Sequence, residues 1–237
     1  MEWREEAKRR AAVEATKHIK DGDIVGLGSG STVAYVVKEI GRLIRENKLK
    51  IKGIATSSQI TKLAISNEVP LTTLDSYPQP DIAIDGADQV DSKLNMIKGL
   101  GGALTREKIV DNAAKKLIIV VDETKLTDRL GVNHPIPLEV IPFALATVLN
   151  ELNLLNGKCI LRMKDGKPMV TDNGNFIVDV YLNQIKNLRT LNRHLKLIPG
   201  VVETGIFLDM ADVVYVGCQY GGIRKLTKHI SKSTSDF

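Results

Sequence analysis

Aromatic residues are scarce in these 237 residues: Phe, Trp and Tyr together make up 4%, too few for the stacking platforms that hold single-stranded nucleic acid. Cysteine is scarcer still. Cys159 and Cys218 stand about 60 residues apart with no His or Cys at metal-ligand spacing, so neither a disulfide framework nor a zinc site is supported. Both are expected as small buried hydrophobes. The four histidines, His18, His134, His194 and His229, lie outside every motif described below, which argues against a histidine-based mechanism. Long apolar runs are missing too. The longest stretch without a charge, Ile24 to Val37, has 14 residues and includes glycines and hydroxyls, whereas a membrane-spanning helix needs about 20 mostly apolar ones. The opening MEWREEAKRR carries three acids with no signal-type apolar run after it, so a cytoplasmic setting is expected. Charge of one sign is only slightly in excess, 33 Lys and Arg against 28 Asp and Glu, and the basic residues are scattered. A small anionic substrate accounts for that balance as well as nucleic acid does.

What is present suffices for a packed core. Hydrophobic residues at 43% and charged residues at 26% exclude the disordered class, and the length corresponds to roughly one and a half domains. Ala7 to about Ile19 reads as a helix, broken by Asp21-Gly22-Asp23. Ile24-Val25-Gly26-Leu27 reads as a buried strand running into a glycine turn, after which Ser31 or Thr32 can cap a helix through about Glu46. The pattern repeats with a strand at Ile51 to Ala55 and a helix at Gln59 to Asn67. Further strands are expected at Leu71 to Leu74, Asp81 to Ile84 and Lys116 to Val121, with a helix from about Thr105 to Ala114 before the last. Strands alternating with helices imply right-handed crossovers: an α/β fold with a Rossmann-like, mostly parallel sheet and helices on both faces.

Past Asp122 the texture changes. His134-Pro135-Ile136-Pro137 and Pro142 read as a punctuated connector, Phe143 to Leu152 as a helix, and Cys159 to Met163 and Met169 to Leu182 as strands. Asp165-Gly166 and Asn173-Gly174 are hairpin signals. A helix around Gln184 to Leu195 and strands at Val201 to Phe207 and Val213 to Gly217 follow. The order strand, helix, two strands, helix, strand suits a smaller α+β domain of ferredoxin-like type. Residues 1–130, completed by about 208–237, are expected to form the Rossmann-like catalytic domain and 131–207 the smaller one. The basic tail from Arg224 is expected to fray.

Three segments carry chemistry. Gly26-Leu27-Gly28-Ser29-Gly30-Ser31-Thr32 lies where a strand meets a helix, and free N–H groups there attract phosphate. A dinucleotide fingerprint would need glycine where Ser31 stands, and the acid expected after the second strand is replaced by Thr56-Ser57-Ser58. Two hydroxyl-rich loops at adjacent strand ends suit a phosphate monoester or polyol instead. The second segment, Asp85-Gly86-Ala87-Asp88, follows a strand end where ligands of open α/β sheets bind, although nearby acids also serve Mg²⁺ or turn capping. The third, Lys98-Gly99-Leu100-Gly101-Gly102-Ala103 with Leu104-Thr105-Arg106-Glu107, brings a cation and a base to a helix start. Together they can polarise a carbonyl and move the proton next to it.

These segments resemble ribose 5-phosphate isomerase of type A: G-L-G-S-G-S-T at 26–32, A-T-S-S at 55–58, D-G-A-D at 85–88, M-I-K-G at 96–99, A-L-T-R-E-K-I at 103–109 and V-D-E-T-K at 121–125. V-T-D-N-G-N at 170–175 and I-P-G-V-V at 198–202 extend the similarity over nearly the whole chain. The resemblance implies interconversion of ribose 5-phosphate and ribulose 5-phosphate through an enediolate, in the non-oxidative pentose phosphate branch, without metal or other cofactor. It implies Glu107 as the base, Asp85 and Asp88 as groups handling sugar hydroxyls and ring opening, and Lys98 as the oxyanion stabiliser. Ser29, Gly30, Ser31, Thr32, the stretch Gly86-Ala87, the backbone of Gly99, Leu100 and Gly101, and Lys125 would hold the sugar or its phosphate. Leu100 departs from the family's usual glycine, which is expected to narrow the cleft, and Cys218-Gln219-Tyr220-Gly221-Gly222 departs from its usual small-residue ending.

Two other readings stand beside it. A sugar-phosphate-sensing regulator would be expected to carry a DNA-reading module, for which the roughly 22 residues before the first strand are too few. Over a related amino-sugar phosphate deaminase or coenzyme A transferase, the D-G-A-D, K-G and L-T-R-E-K set favours the pentose isomerase. The expected partners are a sugar phosphate and copies of the same chain, as a homodimer or homotetramer joined through the second domain, with no nucleic acid and no membrane.

Overall fold

The computed structural model describes residues 2–155, 157–182 and 184–228. The chain opens with helix α1 (Glu2–Thr16), strand β1 (Ile24–Leu27), α2 (Ser31–Arg45), β2 (Lys52–Ala55), α3 (Ser58–Ser66) and β3 (Ile82–Asp85). Two short strands follow, β4 (Gln89–Val90) and β5 (Met96–Ile97), then α4 (Leu104–Ala113) and β6 (Leu117–Asp122). The middle of the chain forms β7 (Ile136–Val140), α5 (Leu145–Asn153), β8 (Lys158–Leu161), β9 (Met163–Lys164), β10 (Lys167–Pro168), β11 (Phe176–Tyr181), α6 (Leu188–Lys196) and β12 (Val201–Thr204). It closes with β13 (Ile206–Phe207), β14 (Val213–Gly217) and β15 (Ile223–Thr227).

The large sheet has the order β15-β14-β6-β3-β1-β2, parallel throughout except for the antiparallel edge strand β15. Its central strands are buried on both faces, as their unbroken apolar runs require. Alternate residues choose the face. Ile118 and Val120 of β6 pack with Val25, Val33 and Ile60 under α1, α2 and α3, whereas Leu117, Ile119 and Val121 pack with Leu104 and Val110 of α4 and with Met96 and Phe207. Covered on both faces, the sheet leaves the carboxyl ends of β1, β3 and β6 as its open edge.

The second sheet, β12-β7-β11-β8, is antiparallel and carries α5 and α6 on one core. Its order of strand, helix, two strands, helix, strand is that of the ferredoxin-like expectation. The first of those strands, however, is the stretch read as a connector. Pro137 is tolerated in a central strand because β12 ends at Thr204, opposite Leu138, so on that side the missing N–H costs no ladder bond. Its carbonyl accepts from Gly205 N at 2.6 Å.

Other expectations are corrected in the same way. Leu71 to Leu74 forms no strand, only a bridge between Leu71 and Gly53. Met169 to Leu182 is a strand only from Phe176, the rest being the turn around Thr171–Asn175. Val201 to Phe207 is cut at Gly205 into β12 and β13, which belong to different sheets. Residues 223–227 are paired with β14 rather than frayed, while the remainder of the tail, with His229, lies outside the described residues. Asp165-Gly166 does make a two-residue hairpin turn, both residues at positive φ. Cys159 and Cys218 are unpaired and half-buried. Among the described residues no helix is long and apolar enough to cross a membrane.

Candidate active site

Asp85 is the last residue of β3, and the chain leaving β1 passes directly over its carboxylate. Ser29 N and Gly86 N donate to Oδ1 at 3.0 and 2.6 Å. A side chain on Gly28 would place its Cβ 2.0 Å from that carboxylate, so only glycine permits the approach. Gly30 has a different task. At φ 102° it turns the chain into α2 with no side chain capping the helix, which leaves first-turn N–H groups facing outward at the positive end of the helix dipole. Lys8 from α1 reaches the same place and donates to Ser31 Oγ at 3.1 Å.

Between Asp85 and α4 the chain makes the hairpin β4-β5, which returns Lys98 over the end of β3. Lys98 is 2% exposed; its ammonium lies 3.0 Å from Asp85 Oδ2 and 3.2 Å from Glu107 Oε1, and donates to Gly86 O at 2.6 Å. Burial alone would lower its pKa, but the carboxylates of Asp85 and Glu107 outweigh burial and hold it above the ordinary lysine value. Glu107, in the first turn of α4, is 5% exposed. Burial, helped by the charge of Asp85 and opposed by Lys98, pushes its carboxyl up to about 8. A carboxylate poised near neutrality with one oxygen on an ammonium and the other unpartnered is suited to take a proton from carbon.

A cleft of about 180 Å³ joins these two ends. Lys98 and Glu107 line its floor, while Ser31, Thr32 and Lys125 line its mouth with Arg4 and Lys8. Ser29, Gly30, Gly86, Ala87, Asp88, Gly99 and Gly101 also reach it. Two residues named from the sequence do not. Asp85 is fully buried beneath the floor, and Leu100 turns its side chain outward, 44% exposed, while its N–H donates to Asp88 Oδ2 at 2.9 Å. The cleft is therefore not narrowed by Leu100. The second hydroxyl loop is also turned inward: Thr56 Oγ1 and Ser57 Oγ meet Ser29 Oγ at 2.8 Å, Ser57 caps α3 through Ile60 N, and Ser58 binds Asp172.

Reading the sequence alone did not single out several groups that the fold brings here. Arg4 and Lys8 arrive from α1 with no local signal. Arg162 ties the second sheet to the loop after β5, its Nη1 donating to Gly99 O and Leu100 O at 2.7 and 2.8 Å and its Nε to Asp179 Oδ2 of β11 at 2.8 Å. Glu139, fully buried, accepts from Thr105 at the start of α4 and from Thr171, Asn173 and Asn175. Asp111 lies one turn beyond Glu107, a spacing of four on an expected helix, which was its available signal.

Comparison with known proteins gives one answer. The family profile described as ribose 5-phosphate isomerase A (phosphoriboisomerase A) matches residues 52–221. Ribose-5-phosphate isomerase A of Pyrococcus horikoshii is 46% identical over 228 residues, covering 94% of this chain and 99% of that protein. The enzyme of that name from Methanococcus aeolicus is 51% identical over 210 residues, 87% of this chain and 89% of its own length. A solved D-ribose-5-phosphate isomerase in complex with phospho-erythronic acid superposes with a TM-score of 0.91 at 45% identity, covering 94% of this chain and 99% of that one.

Proposed function

The chain belongs to the ribose 5-phosphate isomerase A family, and on that premise we propose that Glu107 moves the proton and Lys98 holds the charge of its aldose–ketose isomerisation. The reaction interconverts ribose 5-phosphate and ribulose 5-phosphate, a step of the pentose phosphate pathway. With the open-chain aldose in the cleft, Glu107 takes the proton from C2. The C–H electron pair forms the C1–C2 double bond, and the former carbonyl pair settles on O1 as an enediolate. The ammonium of Lys98 faces that charge in a site with little water, where a fixed cation is worth most. Glu107 then returns the proton to C1 while the proton of O2 passes to O1, leaving the ketone at C2. One carboxylate serves both carbons because they are adjacent.

The remaining roles follow from position. The uncapped end of α2, with Lys8 and Lys125, takes the phosphate. Asp88, at the cleft surface, handles sugar hydroxyls and ring opening, while Asp85, below the floor, orients Lys98. The ligand of the solved relative, phospho-erythronic acid, carries an acid at one end and a phosphate at the other, and this cleft has a cation for each. The observation that carries the reading is the buried Asp85–Lys98–Glu107 array at the foot of a cleft with an anion-binding mouth. A coupled assay for ribulose 5-phosphate tests it: activity on ribose 5-phosphate with a similar kcat/KM on free ribose would overturn the assignment of the mouth.

The setting is inferred as cytoplasmic, in keeping with unpaired cysteines and a phosphorylated metabolite. The partners in this reading are the sugar phosphate and further copies of the chain, rather than nucleic acid or a membrane. Phe143, just before α5, and Leu197, just after α6, 99% and 70% exposed, supply apolar surface for a homodimer or homotetramer. Sedimentation of a 26.0 kDa species at micromolar concentration would reject that assembly.

A further inference from the structure

One buried ionisable group has no part in the proton transfer described above. Asp111 is 4% exposed, and both of its carboxyl oxygens are without a hydrogen-bond partner. It follows Glu107 by four residues on α4, so the two carboxyls stack along the same helix face and both look toward the end of β3. There the Asp111 carboxyl comes within hydrogen-bonding reach of Asp85. Asp85 Oδ2 is itself buried, with the Lys98 charge 3.0 Å away and no aligned donor. Two carboxylates are both pure acceptors and cannot bond to each other. A contact between them needs one proton.

The charges around Asp111 decide which group holds it. From β3 comes Asp85, from the loop after β5 comes Lys98, and from α4 itself comes Glu107, so one cation serves three carboxyls that are each at most 5% exposed. Asp85 has two backbone N–H donors and the ammonium. Glu107 has the ammonium and must be ionised to act as base. Asp111 alone lacks any donor of its own. We propose that Asp111 is a positioning residue held as the neutral acid, whose O–H donates to Asp85 Oδ2 and so completes the cradle that aims Lys98 at the substrate and leaves Glu107 free to titrate. Burial drives its carboxyl well above the usual carboxylate range, and the charge of Asp85 adds to that while Lys98 opposes it. The arrangement explains why a fourth ionisable group is tolerated here: it adds a donor and no charge.

The inference rests on the isomerase reading, but its test has a readout that does not. An infrared spectrum at about pH 9, above the titration of Glu107, should contain a protonated-carboxyl C=O band that disappears in Asp111→Asn. Asn keeps an N–H donor in the same place, so that variant should retain kcat within about threefold, with the acid limb of kcat/KM unmoved. Asp111→Leu keeps the volume and removes the donor. The bared Asp85 Oδ2 then holds the Lys98 ammonium less firmly, so kcat should fall by about tenfold with KM little changed, the scale of one hydrogen bond to a charged group. A residue that only fills space would leave kcat unmoved in this variant. Absence of the band, or an acid limb that shifts downward in Asp111→Asn because a negative charge has been removed, overturns the proposal. If instead the wild-type chain formed no ribulose 5-phosphate, the isomerase reading would fail and the band would remain to be read. Should either variant fail to fold, the wild-type band still decides.

Discussion

The mouth and the floor of the cleft are built by opposite means. At the mouth the binding groups are backbone N–H at the start of α2 and long cationic side chains, among them Lys8 and the half-buried Lys125, in contact with solvent. Each interaction there is screened and replaceable, and several act in parallel. At and just beneath the floor, Asp85, Lys98 and Glu107 are all at most 5% exposed, with the Lys98 ammonium held between the two carboxyls. Removing one partner leaves a buried charge uncompensated, a loss of several kcal/mol rather than of a few tenths. The difference separates the labour: the mouth supplies affinity and the floor supplies chemistry.

Breaking the floor should have the largest effects. Glu107→Gln keeps the size and removes the proton acceptor, so kcat should drop about 10²- to 10⁴-fold with KM little changed, and exchange of the C2 hydrogen in D₂O should nearly vanish. In the wild type, kcat/KM should climb with pH through a limb near the Glu107 value of about 8, because the base must first lose its own proton, and the Gln variant should lack that limb. Survival of both the exchange and the limb would move the base elsewhere. Gly28→Ala tests the floor through its backbone. Its Cβ would intrude on Asp85, and a displacement on that scale should cost about 10²-fold in kcat, with a thermal melt separating this from global unfolding.

Perturbing the mouth should do less. Lys8→Ala and Lys125→Ala should each raise KM for ribose 5-phosphate roughly tenfold and leave kcat near its original value. A comparable fall in kcat would mean that these lysines act on the reacting atoms. The smallest effect should come from salt. Raising ionic strength toward about 1 M shortens the screening length to roughly 3 Å, so KM should rise a few-fold while kcat, set in the unscreened floor, stays level.

The same division governs what could be read before the fold was known. Strands β1, β3 and β6 were legible because burial on both faces writes itself as consecutive apolar residues, and the glycine turn after β1 because its three glycines are contiguous with the helix start. Strand β7 was not, since Pro135 and Pro137 are ordinarily breakers and only the early end of β12 makes Pro137 harmless. Strands β4, β5 and β13, of two residues each, are too short to carry a period. Strand β15 is charged, and it is a strand because β14 offers it an edge. The hydroxyls of Thr56 and Ser57 suggested a ligand loop, yet at the level of sequence nothing distinguishes hydroxyls that face a cleft from those that bind one another.

Residue order alone determined the alternation of strand and helix, the anion-ready turn at Gly28-Ser29-Gly30, and the presence of a base, a cation and carboxylates at successive strand and helix ends. These are local properties, set by backbone preference and by periodic burial. Which carboxylate touches the cleft and which lies under it, the arrival of Arg4 and Lys8 from α1, and the contact between Asp111 and Asp85 were decided by the tertiary structure. Each depends on distances between segments far apart in the chain, and on the exclusion of water that raises Glu107 toward neutrality. Neither quantity exists until the sheet, α4 and the β4-β5 hairpin have closed on one another.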